Sequence, residues 1–233
     1  MAKVVILSGA GLSAESGIKT FRGNDGMWEN YNVMEVCSVQ GYKNNPQLVL
    51  DFYDARRQDI ADKQPNEAHK MITRMKKKYS QQIAVITQNV DNLLEKAGCE
   101  GIIHLHGTLT DLRCQSCQHV FYIGYESQKK HVCPSCKSDD IRHNVVMFGE
   151  SAPLYQQLST EIHDAKLLVV IGTSGQVIDS AYLAEVVGKA VLNNIDVDEN
   201  HDKHFQTKFY EPASSAAVKI QTLIEDFLTH TQA

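Results

Sequence analysis

Short, uninterrupted apolar runs alternate along the chain with longer amphipathic stretches. The runs lie at residues 4–8, 83–87, 167–171 and 190–192, and they are rich in aliphatic, mostly β-branched side chains. Such runs are typical of parallel strands covered on both faces. Helical periodicity fills the intervals, at about 47–62, 66–79, 153–165, 179–188 and 214–229. This alternation predicts an α/β fold with a doubly wound parallel sheet.

Two segments depart from this rhythm and indicate a smaller second domain. Residues 22–80 show helical patterns but no strand, and residues 108–145 are polar, bear four cysteines and lack long helices. We therefore assign residues 1–22, 80–107 and 146–233 to the sheet domain. Residues 23–79 and 108–145 are assigned to a small domain made of a helical module and a cysteine module.

Composition narrows the class of protein. The 233 residues are 42% hydrophobic and 22% charged, which is ordinary for a globular chain. With 23 basic and 28 acidic residues the net charge is −5, so we expect no nucleic-acid partner. No apolar run approaches the roughly 20 residues that span a bilayer, and no targeting pattern opens the chain. We expect a cytoplasmic protein with reduced cysteines and no membrane partner, and a monomer is the default expectation.

The first chemical motif is Gly9-Ala10-Gly11-Leu12-Ser13-Ala14, directly after the first predicted strand. Its form, G-x-G-x-x-A, predicts a dinucleotide site because glycines let the backbone approach a pyrophosphate; a tight turn without a ligand is the alternative. The acid that should follow about 20 residues later at the end of a second strand is missing. The adenosine ribose must therefore be held differently than in a dehydrogenase.

Four cysteines form a pattern of metal ligands. Cys114 and Cys117 are separated from Cys133 and Cys136 by a spacing typical of a zinc ribbon. Four thiolates close a tetrahedron around Zn²⁺ and leave no position for substrate, so the spacing predicts a structural zinc. Two disulfides are the alternative.

Polar clusters follow other predicted strands. Residues 87–92, Thr-Gln-Asn-Val-Asp-Asn, lie at the C-terminal end of a predicted strand, at the sheet edge where parallel sheets bind ligands. An Asp or Asn cap for the following helix is the alternative, although capping explains only one of these residues. His104 and His106 share one side of an extended segment, and either suits a general base near neutral pH. Residues 172–175, Gly-Thr-Ser-Gly, form a second loop of small residues, compatible with a nucleotide contact or a plain turn.

In their order along the chain, these motifs resemble the sirtuin family of NAD-dependent protein deacylases. The resemblance extends to residues 17–23, Gly-Ile-Lys-Thr-Phe-Arg-Gly, and to Phe148-Gly149-Glu150. It implies a Rossmann-like NAD-binding core and a small helical and zinc-ribbon domain, with NAD and acyl-lysine meeting between them. It also implies one structural Zn²⁺ and a reaction that yields nicotinamide, 2′-O-acyl-ADP-ribose and free lysine.

The resemblance assigns roles by position, with His106 as the general base. For NAD it implies contacts from Gly9, Ala10, Gly11, Ser13, Ala14, Phe21, Arg22, Trp28, Gln88, Asn89, Asp91, Gly172, Thr173, Ser174, Asn194 and Ala213. For the substrate peptide it implies an added strand on Val146, Phe148, Gly149 and Glu150. Asn193 is the alternative to Asn194 at the adenosine ribose.

One predicted helix, Pro46 to Asp62, places Val49, Tyr53, Arg56 and Ile60 on one face. An inward arginine needs an anion, and periodicity alone favours an internal Asp or Glu. The Tyr53 and Arg56 pair, however, resembles the class III branch of sirtuins, as does Ala14-Glu15. There the pair reads the distal carboxylate of succinyl- or malonyl-lysine. We expect a desuccinylase or demalonylase with weaker deacetylase activity; a general deacetylase or a mono-ADP-ribosyltransferase using the same NAD site is the alternative.

Overall fold

The computed structural model describes residues 3–20, 27–28 and 31–230. The predicted cofactor residues Phe21 and Arg22 lie outside the described residues, and so does the side chain of Trp28. The strands are β1 Val4–Ser8, β2 Met27–Trp28, β3 Tyr31–Asn32, β4 Ile83–Thr87, β5 Ile102–His104, β6 Gly107–Cys114, β7 Val120–Tyr122, β8 Ile141–Val145, β9 Leu167–Ile171, β10 Ala190–Asn194 and β11 Thr207–Tyr210. The helices are α1 Gly11–Ala14, α2 Val33–Val36, α3 Val39–Asn44, α4 Pro46–Asp59, α5 Glu67–Lys78, α6 Leu93–Lys96, α7 Tyr155–Asp164, α8 Ser180–Val187, α9 Glu199–Asp202 and α10 Ala213–His230, with a short 3-10 helix at Gln128–Lys130.

Six parallel strands form the main sheet in the order β11-β10-β9-β1-β4-β5. The chain starts at the centre, builds outward through β4 and β5, and then returns to β9 on the other side of β1. Ser8 at the end of β1 is in register with Thr87 of β4 and Ile171 of β9, so the loops that follow these three strands meet at one edge. This reversal of strand order is where doubly wound sheets bind ligands, and it confirms the predicted fold class.

Apolar helices cover both faces of this sheet. Val4 and Ile6 point to one face, where they pack with residues of α5 and α10, and Val5 and Leu7 point to the other, where α7 and α8 cover them. Helix α5, which was assigned from the sequence to the small domain, packs against the main sheet. Its residues Met71, Ile72 and Met75 are buried in the core of the main sheet, because the apolar stripe of α5 faces the strands.

The two predicted inserts contact each other. Residues of α2 and α4 share a core with Leu109 of β6, Val145 of β8 and Met147, while the four-cysteine region packs around Leu112 and Ile141. Strands β7, β6 and β8 form an antiparallel sheet. Strands β2 and β3, two residues each, pair antiparallel within residues 22–80, where the sequence predicted no strand.

Helix α4 ends three residues earlier than predicted. Asn45 caps its first turn by accepting a hydrogen bond from Leu48 N at 3.1 Å. At the other end, Lys96 Nζ donates to the carbonyl oxygens of Ile60, Ala61 and Lys63, each at 2.9 Å. These carbonyls are therefore satisfied by a cation on α6, and the helix stops at Asp59.

None of the helices within the described part of the chain is both long and apolar enough to cross a bilayer.

Candidate active site

A cavity of about 770 Å³ opens where the loops after β1, β4 and β9 meet the helical insert. The predicted site residues that line it are Gly9, Ala10, Gly11, Ser13, Tyr53, Arg56, Gln88, Asn89, Asp91, His106, Val146, Phe148, Gly149, Glu150, Gly172, Thr173 and Ser174. Ala14, Asn194 and Ala213, which were also predicted to bind the cofactor, do not line this cavity. Motifs up to 165 residues apart, from Gly9 to Ser174, are thus brought to one place by the strand order.

The two glycine loops interlock beneath this cavity. Gly11 N donates to Gly172 O at 2.8 Å, and a Cβ added to Gly11 would lie 2.6 Å from Gly172 Cα. Gly172 itself has a φ of +67°, which favours glycine. The glycines therefore serve the contact between two loops of the chain as well as the approach of a ligand, which the motif alone did not reveal.

Ser13 is the centre of a buried hydrogen-bond network. Its hydroxyl donates to Asp91 Oδ2 at 2.9 Å and accepts from Asn89 Nδ2 at 3.1 Å. His69 Nε2 lies 3.3 Å from the same oxygen, while His69 Nδ1 accepts from Asn66 N. His69 is therefore the Nε2–H tautomer and donates to Ser13, which satisfies the one donor and two acceptor positions of the hydroxyl. The network fixes the side chains at the end of β4.

Burial shifts the pKa values of the two titratable groups in this network, His69 and Asp91. It lowers the pKa of His69 to about 4 and raises the pKa of Asp91, although hydrogen bonds from Leu93 N and Ser13 to Asp91 oppose the rise. His69 was not among the site residues predicted from the sequence. The available signal was the capping box, in which Asn66 caps α5 and His69 bonds back to the Asn66 N–H.

We expect His69 to make the fold sensitive to acid. Its pKa is about 4 in the folded protein against 6.5 when unperturbed, so the unfolded chain binds a proton first as the pH falls. Stability should therefore decline between pH 6.5 and 4, by up to roughly 3 kcal/mol for this one group. Between pH 7 and pH 5, the unfolding temperature of the wild type should fall more than that of His69→Gln.

Exposed His163 provides the matched control, since His163→Gln should keep the wild-type slope. The His69 ring should also remain neutral by NMR at pH 5.5 in the wild type. A charged ring at that pH, or equal slopes in the His69 variant and the wild type, would contradict this account.

The structure separates the two candidate histidines. His106 lines the cavity, with Nδ1 at 3.0 Å from Gln88 O, and burial lowers its pKa. His104 does not line it: Nε2 lies 2.7 Å from Glu95 Oε1 and Nδ1 lies 3.1 Å from Asn89 O. Burial lowers the pKa of His104, but bonds to Glu95 and Asn89 together raise it above its ordinary value. Both nitrogens of His104 therefore face acceptors, so this ring holds a proton more readily than a free imidazole but directs no nitrogen at a ligand in the cavity.

Adjacent arginines on α4 have different surroundings. Arg57 has a fully buried side chain and donates from Nη1 to Asp54 Oδ1 at 2.6 Å. It therefore forms the kind of internal ion pair that the periodicity of the helix favoured for Arg56. Arg56 instead lines the cavity, with its guanidinium over the Phe52 ring and Nη1 4.0 Å from Asp59 Oδ2. The sequence pattern predicted one inward arginine, and the helix has two that face different partners.

Tyr53 is buried beside Arg56 and reaches the cavity from the same helix. Its hydroxyl is hydrogen-bonded to the Cys37 thiol, and its ring packs against Phe52 and His143 at centroid distances of 5.2 Å. Burial raises the pKa of Tyr53 and that of Cys37, the latter to about 11. Both groups are neutral and able to donate hydrogen bonds at physiological pH.

The segment predicted to pair with a peptide is tied to the protein on one side. Phe148 N donates to Cys37 O at 2.8 Å and Phe148 O accepts from Val39 N at 3.0 Å. Glu150, predicted to contact substrate, lines the cavity and accepts from Arg142 and from Met147 N, so it also holds its own loop. Any pairing with a peptide must use the other backbone groups of residues 146–150.

At the end of β10, outside the lining of the cavity, the two asparagines have different partners. Asn193 Nδ2 donates to Phe209 O and Glu211 O, at 3.0 and 2.8 Å, and thereby ties β10 to the chain around β11. Asn194 Nδ2 lies 3.3 Å from Thr173 O, beside the second glycine loop. Asn193 contacts the second glycine loop through its backbone, whereas Asn194 is the one whose side chain lies beside that loop.

The four predicted metal ligands come together. Each Sγ lies within 4.8 Å of the others, with Cys114 to Cys136 at 3.5 Å and Cys117 to Cys133 at 3.6 Å. Sulfurs bound tetrahedrally at about 2.3 Å from one Zn²⁺ would be about 3.8 Å apart, so the arrangement fits. None of the four forms a disulfide, which removes that alternative in this structure.

Comparison with known proteins assigns the family. A family model described as the Sir2 family matches residues 9–179, more than half of the chain. The chain belongs to the Sir2 family. It is 50% identical over 228 residues to a protein of Campylobacter jejuni subsp. jejuni named NAD-dependent protein deacylase, and the match covers 98% of both chains. A Helicobacter hepaticus protein with the same name is 39% identical over 252 residues and is covered to 99%.

Solved structures of the Sir2 family share the fold. A Sir2 homolog in complex with NAD is 32% identical, with a TM-score of 0.83 over 97% of this chain and 90% of that one. A Sir2 structure with a deacetylated peptide and 3′-O-acetyl ADP-ribose is 27% identical, with a TM-score of 0.77 over 94% of this chain and 92% of that one. The resemblance predicted from the motifs is confirmed.

Proposed function

We propose that this Sir2-family chain, an NAD-dependent protein deacylase, prefers lysine acyl groups that end in a carboxylate, as succinyl and malonyl do. Acetyl-lysine would be a weaker substrate. The observation that supports this preference is that Tyr53 and Arg56 line the same cavity as His106, while Arg57 satisfies the internal carboxylate of Asp54.

Arg56 gains more from an acyl carboxylate than from its present acidic neighbour. Asp59 is about two-fifths exposed and lies 4.0 Å away, so water screens this ion pair and its contribution to stability is small. A carboxylate brought into the cavity would accept two parallel bonds from the guanidinium and a third from the neutral Tyr53 hydroxyl. An acetyl group offers no such acceptor.

NAD would occupy the part of the cavity lined by the glycine loops. Gly9, Ala10 and Gly11 would hold its phosphates, and Gly172, Thr173 and Ser174, with Asn194 nearby, would hold the adenosine end. Asn89 and Asp91, fixed by Ser13, would line the nicotinamide pocket, with Gln88 at the ribose. NAD supplies the ribose that accepts the acyl group, and nicotinamide is its leaving group.

His106 would act after the acyl oxygen has displaced nicotinamide from the anomeric carbon of the ribose. Its Nε2 would take the proton from a ribose hydroxyl, so that this oxygen can attack the acyl carbon. One water then adds to the acyl carbon, whose bonds to the lysine nitrogen and to the oxygen on the anomeric carbon break, and the products are nicotinamide, O-acyl-ADP-ribose and free lysine. The lowered pKa of His106 leaves the ring neutral near pH 7 and ready to accept this proton.

Matched peptides test the proposed preference. One lysine peptide is prepared with succinyl, malonyl or acetyl on the same nitrogen, and kcat/KM is measured with saturating NAD. We expect the succinyl or malonyl peptide to exceed the acetyl peptide by at least tenfold. An acetyl peptide that is equal or better would identify a general deacetylase, and transfer of ADP-ribose to protein without deacylation would identify the mono-ADP-ribosyltransferase.

We also propose that the cysteine cluster binds one structural Zn²⁺. The closed set of four thiol ligands leaves no open position, so the metal would contribute to folding of the small domain and take no part in catalysis. Cys133→Ser should therefore lose bound zinc, lower the unfolding temperature and abolish activity together. Metal analysis and thermal unfolding of purified protein measure this.

Ser116→Ala, within the same module but outside the ligand set, is the control and should keep its zinc. A folded and active Cys133→Ser protein without zinc would show that the cluster does not need the metal.

A further inference from the structure

Tyr155 contacts His106 and was not among the predicted site residues. It begins α7, and its ring packs at the edge of the core on one face of the main sheet. Its hydroxyl lies 2.9 Å from His106 Nε2, and the two ring centroids are 6.0 Å apart. The packed ring limits where the hydroxyl can move, so the contact is built into the fold.

The other nitrogen of His106 determines the direction of this bond. Nδ1 lies 3.0 Å from the carbonyl oxygen of Gln88, which can only accept, so Nδ1 carries the proton of the neutral ring. Nε2 is then the acceptor, and the Tyr155 O–H donates to it. The hydroxyl occupies the lone pair through which a general base takes up a proton.

We propose that Tyr155 is a positioning residue for His106: its hydroxyl orients the imidazole with Nε2 toward the cavity and keeps the ring neutral before substrate binds. The hydroxyl can donate to Nε2 only while the ring is neutral; when the ring is protonated, the hydroxyl must turn and accept from Nε2–H instead. The proposal rests on the proposed function in one respect, that His106 is the base of the deacylation reaction.

Tyr155 is the titratable side chain in direct contact with the imidazole among the described residues. Burial lowers the pKa of His106, and the bond to Gln88 O opposes this. Other titratable or charged groups that line the cavity are Lys19, Cys37, Tyr53, Arg56, Asp59, Asp91 and Glu150. Tyr155→Phe changes none of these groups, so a shift of the His106 pKa in this variant reports the loss of the Tyr155 hydroxyl.

The ribose hydroxyl must replace Tyr155 at Nε2 during turnover, which gives the two kinetic constants different responses. The acid limb of kcat/KM reports the free enzyme, in which the Tyr155 bond is present. The acid limb of kcat reports the substrate complex, in which the bond has been exchanged. Tyr155→Phe should therefore move the acid limb of kcat/KM to higher pH and leave the acid limb of kcat nearly in place.

The test compares the wild type, Tyr155→Phe and the control Tyr182→Phe, whose ring is exposed on α8. NMR titration of the His106 ring, assigned from the missing signal of His106→Ala, needs no catalytic activity. In Tyr155→Phe we expect its pKa to rise by roughly 0.4–1 pH unit, the equivalent of one neutral hydrogen bond, with the same shift in the acid limb of kcat/KM. Tyr182→Phe should match the wild type.

An unchanged or lower pKa of His106 in Tyr155→Phe would overturn the proposal, and so would an equal shift in the control. A rise in deacylation at every pH would overturn it too, because Tyr155 would then only obstruct Nε2. If the NMR shift occurs but the wild type removes no acyl group, the proposed function fails while the effect of Tyr155 on the imidazole stands.

Discussion

Replacing His106 by alanine should reduce deacylation turnover by about 10²–10⁴-fold, the usual contribution of a general base. The variant should still bind NAD, because the residues that would hold the nucleotide are on the loops after β1, β4 and β9. It should also still exchange nicotinamide, since that step precedes proton transfer to His106. Steady-state kinetics, calorimetric titration with NAD and exchange of labelled nicotinamide measure the three properties.

His163→Ala, an exposed histidine on α7, is the matched control and should be fully active. Near-normal turnover of His106→Ala would move the base elsewhere. His104 would then be the first candidate, although its bonds to Glu95 and Asn89 disfavour it. Loss of NAD binding together with turnover would instead indicate that His106 shapes the cavity.

Arg56→Met should cut desuccinylation by orders of magnitude and leave deacetylation unchanged or improved. A site built to bind a polar group can reject an analogue that lacks it by up to about 10⁴-fold, and water that enters the cavity reduces this factor. Methionine keeps much of the side-chain volume over the Phe52 ring but removes the charge. The measurement is kcat/KM on matched succinyl and acetyl peptides.

Two further variants make this result specific. Tyr53→Phe should shift the ratio in the same direction but less, because one neutral bond is lost. Arg74→Met, on the exposed side of α5, should leave both activities unchanged. If Arg56→Met loses both activities in parallel, Arg56 has a structural role, and the protein is better described as a general deacetylase.

Local patterns predicted the features that depend on neighbouring residues. The runs at β1, β4, β9 and β10 are buried on both sides, and their composition alone was sufficient to identify them. The four cysteines and the glycine motif likewise depend on short spacings. Strands β5 and β11 were missed, since β5 is only three residues long and β11 is a half-exposed edge strand.

Contacts between distant residues could not be predicted from these patterns. Ser13 and His69 are 56 positions apart, and His106 and Tyr155 are 49 apart, so no periodicity links them. Similarly, Arg56 and Arg57 are adjacent in the sequence but have different surroundings. The difference depends on where Asp54 and the cavity lie around α4. The motifs that carry the predicted chemistry meet in one cavity, whereas the hydrogen bonds that support them could be found only from the fold.

The most direct test is to identify the products of the wild-type protein with NAD and one succinyl-lysine peptide. Mass spectrometry with isotope-labelled standards should find nicotinamide, O-succinyl-ADP-ribose and the free-lysine peptide in equal amounts, and none of them when NAD is omitted. Release of free succinate without consumption of NAD, or ADP-ribose attached to protein while the peptide stays succinylated, would contradict the account.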